Sequence, residues 1–304
     1  MTHRITRRTV LAATAALPLA APGLARAAAP MLGAGLPPWR RFRLGDFEVT
    51  TLLAATMPRP DPHSIFGLNV SEAEFSAVSE AANLPTDRAQ FFFTPTVVNT
   101  GAQLVLFDTG LNPEQIIGVL GAAGYTPEQV DLVVITHMHP DHIGGLRADG
   151  ADTFTKAAYA TGRVEFDAWA KMGNDGFEKK VRPLADRMAM LEDGASAFAG
   201  HTAMAAFGHT PGHMVHMIES AGKRLLIAAD FANHPAWSLE HPDWHVKFDM
   251  DKAMAATTRR RLLDMLAAER LPFVGYHMPW PATGYVERAG TGYRYMPTSY
   301  QLML

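Results

Sequence analysis

The chain has 304 residues and no cysteine, so disulfide bonds and cysteine metal ligands are excluded. Its formal net charge is −3, from 30 acidic against 27 basic side chains, whereas a nucleic-acid-binding protein would show a clustered basic surface. We therefore expect a globular protein without a nucleic-acid partner. No Gly/Ser-rich linker or charge run divides it into several domains.

Residues 1–29 predict an export signal that lies outside the folded domain. The paired Arg7 and Arg8 precede an apolar stretch from Val10 to Leu24, and Ala25-Arg26-Ala27 follows as a small-residue cleavage site. Two prolines interrupt the apolar stretch, which is shorter than the roughly 20 residues of a membrane helix. The order of these features predicts twin-arginine export, a periplasmic or secreted protein, and no membrane insertion after the signal is removed.

Hydrophobic periodicity in residues 30–304 predicts one domain with both strands and helices. The predicted strands are Phe47 to Leu53, Thr96 to Asn99, Leu104 to Asp108, Leu132 to Thr136, Ala203 to Phe207, Val215 to Ser220, Leu225 to Ala229 and Phe273 to Tyr276. The predicted helices are Ser71 to Ala82, Pro113 to Ala123, Arg163 to Met172, Lys179 to Met190 and Asp251 to Glu269. The basic run Arg259-Arg260-Arg261 falls in the last helix, where we expect a solvated face.

Four candidate metal ligands stand directly after the predicted strand that ends at Thr136: His137, His139, Asp141 and His142. The two histidines at 137 and 139 face the same side of an extended chain, and the proline at 140 turns the chain before the other two ligands. Imidazole and carboxylate suit divalent ions such as zinc, and four such groups are more than one ion requires. The segment predicts a site with room for two ions. The alternative is a histidine-rich loop without metal.

Three further candidate ligands end other segments of the chain. His213 ends the glycine-rich turn Gly208–His213, Asp230 follows a predicted strand, and His277 follows another. Their shared position after apolar runs or turns favours a site built at the ends of strands. Taken singly, each would be read as a hydrogen-bonded loop residue.

This pattern resembles the metallo-β-lactamase superfamily, whose His-x-His-x-Asp-His motif matches residues 137–142 and whose later ligands match His213, Asp230 and His277. The resemblance implies an α/β fold, the four-layer αβ/βα sandwich, with two divalent metal ions. It assigns His137, His139 and His213 to one ion and Asp141, His142 and His277 to the other. Asp230 and a hydroxide would bridge the ions, so the acids Asp141 and Asp230 belong to the catalytic centre. Zinc is favoured, and manganese, cobalt and iron remain open.

Within the superfamily, the chain resembles methyl parathion hydrolase and its lactonase-like relatives. The matching stretches are Gly45–Thr50, Val98–Gly101, Leu104–Gly110, Ala122–Asp131, Ile135–Leu146, Gly208–His213 and Gly292–Pro297. This resemblance implies a substrate pocket lined by aromatic residues and a homodimer. Trp169 and Phe177 stand where two of the pocket residues would fall, with burial in the core as the alternative. Phe91 is a candidate for an apolar lip of the pocket or for a buried strand edge.

Two kinds of supporting residue are also expected around the ligands. Asp108, at the end of a predicted strand, is a candidate acceptor that orients a ligand histidine. His209 and His216 flank His213 and are expected to be hydrogen-bonded supports.

The sequence thus predicts a metal-dependent hydrolase in which a metal-bridging hydroxide attacks a small apolar ester. Lactones and aryl esters rank ahead of organophosphate triesters as substrates. Two alternatives remain open: a β-lactam or thioester hydrolase of the same fold, and a non-catalytic protein that binds metal or a ligand.

Overall fold

The computed structural model describes residues 31, 33–298 and 302–304, so the predicted export signal lies outside the described residues. The chain divides into two units, residues 1–36 and residues 37–304. The described residues of the first unit contain no helix or strand. Every element named below belongs to the second unit.

The strands of the second unit, in chain order, are β1 Trp39–Leu44, β2 Phe47–Leu52, β3 Ala55–Pro60, β4 Arg88–Phe93, β5 Thr96–Asn99, β6 Leu104–Phe107, β7 Leu132–Ile135, β8 Arg147–Ala148, β9 Ala151–Asp152, β10 Ala158–Gly162, β11 Met188–Leu191, β12 His201–Ala205, β13 Met214–Ser220, β14 Lys223–Ala229, β15 Phe273–Gly275, β16 Thr283–Ala289 and β17 Gly292–Pro297. The α-helices are α1 Glu72–Ala81, α2 Pro113–Ala122, α3 Pro140–Ile143, α4 Arg163–Met172, α5 Asp175–Lys180 and α6 Lys252–Glu269.

Two large sheets carry the fold. The first has the strand order β1-β2-β5-β6-β7-β10-β11 and the second β12-β13-β14-β15-β16-β17. Within them, β6 pairs with β7 and β14 pairs with β15 in parallel. The carboxyl ends of paired parallel strands meet at one edge of their sheet, so each sheet presents the residues after two strands side by side. Strands β3 and β4 form a separate two-stranded ribbon.

The strands at the centre of each sheet are buried on both faces, which produces the four layers. Along β6, Leu104 and Leu106 belong to the core cluster that includes helix α2, whereas Val105 and Phe107 belong to the cluster between the sheets. Strand β14 alternates in the same way between the inter-sheet cluster and the cluster that contains Leu262 of α6. Alternating side chains must point to opposite faces of a strand, so the order is helix, sheet, sheet, helix. This confirms the predicted four-layer αβ/βα sandwich.

One predicted helix is wrong. The segment from Lys179 to Met190 contains the end of α5, then a 3-10 helix at Arg182–Arg187, then β11. Pro183 has no backbone N–H and its ring clashes with the preceding turn, so an α-helix cannot run through this position. The apolar residues after it join the edge of the first sheet.

One residue of the basic run in α6, Arg259, does not lie on the solvated face that was expected, whereas Arg261 is exposed. Arg259 is fully buried and donates to the carbonyl oxygens of Phe231 and Pro242 at 3.0 and 2.8 Å and to the carboxylate of Asp249 at 2.8 Å. Periodicity could not predict this burial, because the partners come from a distant loop. Among the described residues, no helix has both the length and the apolarity needed to cross a membrane.

Candidate metal centre

Six of the seven candidate ligands follow the parallel strands of the two sheets, and His213 directly precedes β13, which is antiparallel to its neighbours. The segment 137–142 follows β7 in the first sheet, and Asp230 and His277 follow β14 and β15 in the second. The inner faces of the sheets pack against each other, so ends that are far apart in sequence meet at one edge. Gly144 allows the turn after the segment to fit, because a Cβ there would lie 2.2 Å from the carbonyl oxygen of Leu111.

Two acids and two histidines form one half of the centre. The Nε2 atom of His277 lies 3.1 Å from the carboxylate of Asp230 and 3.3 Å from that of Asp141. The Nε2 atom of His142 lies 3.4 and 3.6 Å from the same two carboxylates. The structure therefore brings these predicted residues together in two overlapping groups that could each hold an ion: Asp141, His142 and His277, and His137, His142 and Asp230.

The second half of the centre is built from histidines. The Nε2 atom of His137 lies 3.1 Å from Nδ1 of His139, which in turn lies 2.9 Å from Nε2 of His209. These three donor atoms fit around one ion. The ring of His213 is 5.0 Å from that of His137, and its Nε2 accepts a hydrogen bond from the backbone of Asp230.

His209 is therefore closer to the predicted ligands than the sequence indicated. It was expected to be a support, yet its Nε2 faces His139 and lies 3.4 Å from the Asp230 carboxylate. Its Nδ1 lies 2.8 Å from Asp249, which is held by Arg259. The only sequence signal was that the turn 208–213 contains another histidine, four residues before His213.

The hydrogen bonds around the rings fix which nitrogen faces the centre. His142 lies 2.8 Å through Nδ1 from Asp108, His277 lies 2.7 Å through Nδ1 from the Phe92 carbonyl oxygen, and His137 lies 3.0 Å through Nδ1 from Thr136. Each Nδ1 donates to oxygen, so each Nε2 is the nitrogen that faces the centre and can bind an ion there. Asp108 has the acceptor position predicted for it. It also accepts from the Thr136 backbone and hydroxyl.

The charges of the centre are poised to hold cations. Burial alone would lower the pKa of His277, but the carboxylates of Asp230 and Asp141 raise it to about 10. Burial would likewise lower the pKa of His142, and three carboxylates, that of Asp108 first, raise it well above its ordinary value. By contrast, burial and a neighbouring histidine lower the pKa of His139 to about 3. Metal cations that replaced the extra protons of His277 and His142 would balance the charge of the same carboxylates.

The donor atoms of the centre fit divalent metal ions. Among the described residues, His142 Nε2 and Asp230 Oδ1 are buried side-chain atoms that face each other at 3.4 Å, and neither has a hydrogen-bond partner. Such atoms are costly unless an ion or water satisfies them. Neutral imidazole and carboxylate together are the donors that zinc and related ions take in proteins.

A buried glutamate joins the two ligand loops. One carboxylate oxygen of Glu165 accepts from the Met138 backbone at 2.9 Å, and the other accepts from the Thr210 hydroxyl at 2.7 Å and the Gly212 backbone at 2.8 Å. Burial raises the pKa of Glu165, and these three donors oppose that rise. Gly212 lies so close that a Cβ there would be 2.1 Å from the Glu165 backbone nitrogen.

A cavity of about 240 Å³ opens over the acidic half of the centre. Its floor includes His139, Asp141, Asp230 and His277, and its walls are largely apolar: Phe91, Phe93, Leu111 and Phe248. The rings of Phe91 and Phe93 stand edge-on to His277, with centroids 5.6 and 5.4 Å away. Phe91 thus lines the cavity, in agreement with its interpretation as an apolar lip of the pocket. Phe248 was not found from the sequence.

The other two predicted pocket residues do not line this cavity. Phe177 is fully buried in the core cluster between the first sheet and its helices. Trp169 is buried in the same cluster. Its ring lies 5.9 Å from that of His139, but the residue does not line the cavity. Both belong to helices whose inner face packs on the sheet, so the core interpretation is the correct one.

The geometry defines a class: an αβ/βα sandwich with a His/Asp donor cluster at the shared edge of its sheets. A model of the metallo-β-lactamase superfamily matches residues 94–277, which is more than half of the chain, and the protein belongs to that superfamily.

Similar proteins are found by sequence and by structure. An N-acyl homoserine lactonase from Bacillus sp. is 24% identical over 164 residues, 54% of this chain and 62% of the relative. The lactonase AiiA from Bacillus thuringiensis subsp. kurstaki is 24% identical over 157 residues, 52% of this chain and 59% of the relative. The match thus spans about three fifths of the length of these curated relatives.

Two solved structures have the same fold over most of this chain. A structure of AidC, described as a dizinc quorum-quenching lactonase, superposes with a TM-score of 0.79 at 22% identity and covers 86% of this chain and 98% of its own. The hydrolase AbOPH superposes with a TM-score of 0.81 at 23% identity and covers 88% and 100%.

Proposed function

We propose that this protein is a metal-dependent hydrolase of small apolar esters, with lactones and aryl esters ahead of organophosphate triesters. One observation carries the proposal: a buried cluster of His and Asp donors opens into a cavity walled by phenylalanines. The relatives that are named as N-acyl homoserine lactonases support an ester of the lactone type.

The residues divide naturally between two divalent ions, zinc being favoured by the donors. Asp141, His142 and His277 would hold one ion. His137 and His139 would hold the other, completed by His213 as the family motif implies or by His209, which lies nearer to them. The Asp230 carboxylate lies between the two halves. Ions bound there supply an ionised water at neutral pH and polarise an ester oxygen.

The protein's own residues provide orientation and shelter. Asp108 and the Phe92 carbonyl oxygen fix the rings of His142 and His277, so their Nε2 atoms need no reorganisation when a ligand arrives. Phe91 and Phe93 receive the apolar part of the ester and exclude water around the scissile bond.

The proposal is tested with purified protein, metal analysis and a panel of chromogenic esters and lactones. We expect about two bound divalent ions per chain, loss of turnover on chelation, and recovery with zinc, manganese or cobalt. Asp230→Ala should lose bound metal and at least roughly 100-fold of turnover, since it removes a donor to both halves. Asp175→Ala, at an exposed carboxylate paired with Lys179, is the control.

Unchanged turnover in excess chelator, in protein without detectable metal, would contradict this function. Turnover of only a thioester or only a β-lactam would show that the protein is a hydrolase of the same fold with a different substrate class. Bound metal without turnover of any ester would leave a metal-binding protein.

We also propose that the protein is exported by the twin-arginine route and forms a homodimer. The paired Arg7 and Arg8 before the weakly apolar stretch support export, and the family resemblance supports the dimer. Changing both arginines to lysine should retain the protein in the cytoplasm, whereas Arg4→Lys should not. Periplasmic recovery of the double variant would contradict the twin-arginine route, and retention of the wild type in the cytoplasm would contradict export. A monomer mass by light scattering would contradict the dimer.

A further inference from the structure

The ribbon of β3 and β4 separates two cavities, one on each of its faces. In its antiparallel register, Met57 is opposite Phe91 and Arg59 is opposite Ala89. Opposite residues share a face, and so do residues two apart on one strand. Arg59 therefore lies on the same face as Phe91 and Phe93, and these three residues line the cavity over the metal centre. Residues of the other face line a second cavity of about 290 Å³: Pro58, Arg88, Gln90 and Phe92.

Arg59 is the basic residue in the wall of the catalytic cavity. It forms no hydrogen bond or ion pair with any residue in the described part of the chain, whereas Arg88 on the other face pairs with Asp87 at 3.5 Å. Arg59 is exposed to solvent, and the strand register places it on the face of the ribbon that forms the otherwise apolar wall. Its five N–H donors remain available to a ligand in that cavity.

The register gives Arg59 a defined spacing from the two phenylalanines that contact His277. Phe91 and Phe93 touch His277, and the Arg59 register position is two residues beyond that of Phe91 and four beyond that of Phe93. At about 3.4 Å per residue, it stands roughly 7 to 14 Å along the ribbon from the two phenylalanines. An ester with its scissile bond at the centre would cross the phenylalanine wall before reaching the guanidinium.

We propose that Arg59 is a specificity residue that binds a carboxylate at the far end of the apolar part of the substrate. A planar guanidinium matches a carboxylate with two parallel hydrogen bonds, and an unpaired one beside apolar walls has no competing partner. The substrate class then narrows to esters or lactones that combine an apolar segment with a distal acid. This inference rests on the proposed hydrolase function.

The test compares two chromogenic esters with the same leaving group and an eight-carbon acyl chain. p-Nitrophenyl octanoate ends in a methyl group, and the mono-p-nitrophenyl ester of suberic acid ends in a carboxylate. The readout is the ratio of their kcat/KM values in the full-length, metal-loaded protein. The variants are Arg59→Met, Arg59→Lys, and Arg88→Met as the matched control from the opposite face of the same ribbon.

We expect the wild-type ratio to favour the acid ester, and Arg59→Met to lower that ratio about tenfold, mainly through the KM of the acid ester. Arg59→Lys should retain part of the preference, because it keeps the charge but not the fork. Arg88→Met should keep the wild-type ratio, and added salt should lower the ratio in the wild type.

The outcomes separate the inference from the function on which it rests. Turnover of both esters with a ratio that Arg59→Met does not change would overturn the role of Arg59 and leave the hydrolase intact. An equal change of the ratio in Arg88→Met would also overturn it, since the effect would then come from net charge. If the wild type with metal hydrolyses neither ester, both the hydrolase proposal and this inference fail for acyl esters.

Discussion

Replacing Glu165 with Gln tests whether one buried carboxylate holds the two ligand loops together. The carboxylate accepts from three donors, at Met138, Thr210 and Gly212. A Gln amide can accept at only one end, so either the Met138 N–H or the pair at 210 and 212 faces an NH2 group. A buried N–H without an acceptor costs about 1–3 kcal/mol, and the bond to a charged acceptor is lost as well. The neutral amide avoids the cost of burying a charge, which offsets part of this.

We therefore expect Glu165→Gln to lower the free energy of unfolding by about 2–3 kcal/mol. Urea unfolding followed by circular dichroism measures the loss, and competition with a chelator measures the accompanying fall in metal affinity. Glu192→Gln is the control, because Glu192 forms an exposed ion pair with Arg163 and should cost less than about 1 kcal/mol. A loss in Glu165→Gln no larger than that of the control would refute the reasoning.

Three further changes follow from buried polar groups. Arg259→Met should destabilise the fold by about 3–5 kcal/mol in urea, because the buried Asp249 carboxylate would keep only His209 as a partner and two carbonyl oxygens would lose their donor. Arg260→Met removes an exposed pair and should cost under about 1 kcal/mol; equal losses would contradict this. Burial lowers the pKa of His201 to about 4, so stability present above pH 6.5 should fall by about 3 kcal/mol as the pH drops to 4. Thermal melts should show a flatter pH dependence in His201→Asn, and an unchanged slope would count against it. Asp108→Asn should weaken metal binding roughly 10- to 100-fold, as measured by chelator competition, and unchanged affinity would deny it an orienting role.

The ligand segments could be predicted because each follows a short apolar run, and local sequence determines such runs well. The strand before His137 and the strand before Asp230 were both recognised, and both lie where the sheets place chemistry. The helix Arg163–Met172 was predicted with its observed bounds, since Gly173 ends it in the left-handed region.

What the sequence did not reveal depends on contacts between distant segments. The ribbon strand Ala55–Pro60 contains two prolines, which argue against a strand, yet as one strand of a two-stranded ribbon it tolerates them. Arg259 looked solvated because its carbonyl and carboxylate partners come from outside its helix. Phe248 lies in a stretch without regular structure, so no periodicity marked it as a cavity wall.

The hydrogen bond from His277 to the carbonyl oxygen of Phe92 ties a metal ligand to the ribbon that shapes the cavity. Anyone who grafts a new ribbon to alter substrate choice would therefore also move the oxygen that aims this imidazole. A change in the ribbon can therefore alter both substrate selectivity and metal binding through this hydrogen bond. A screen of ribbon variants for turnover alone cannot distinguish a variant that has lost a metal ion from one that no longer binds the ester. The metal content of each variant should therefore be measured as well.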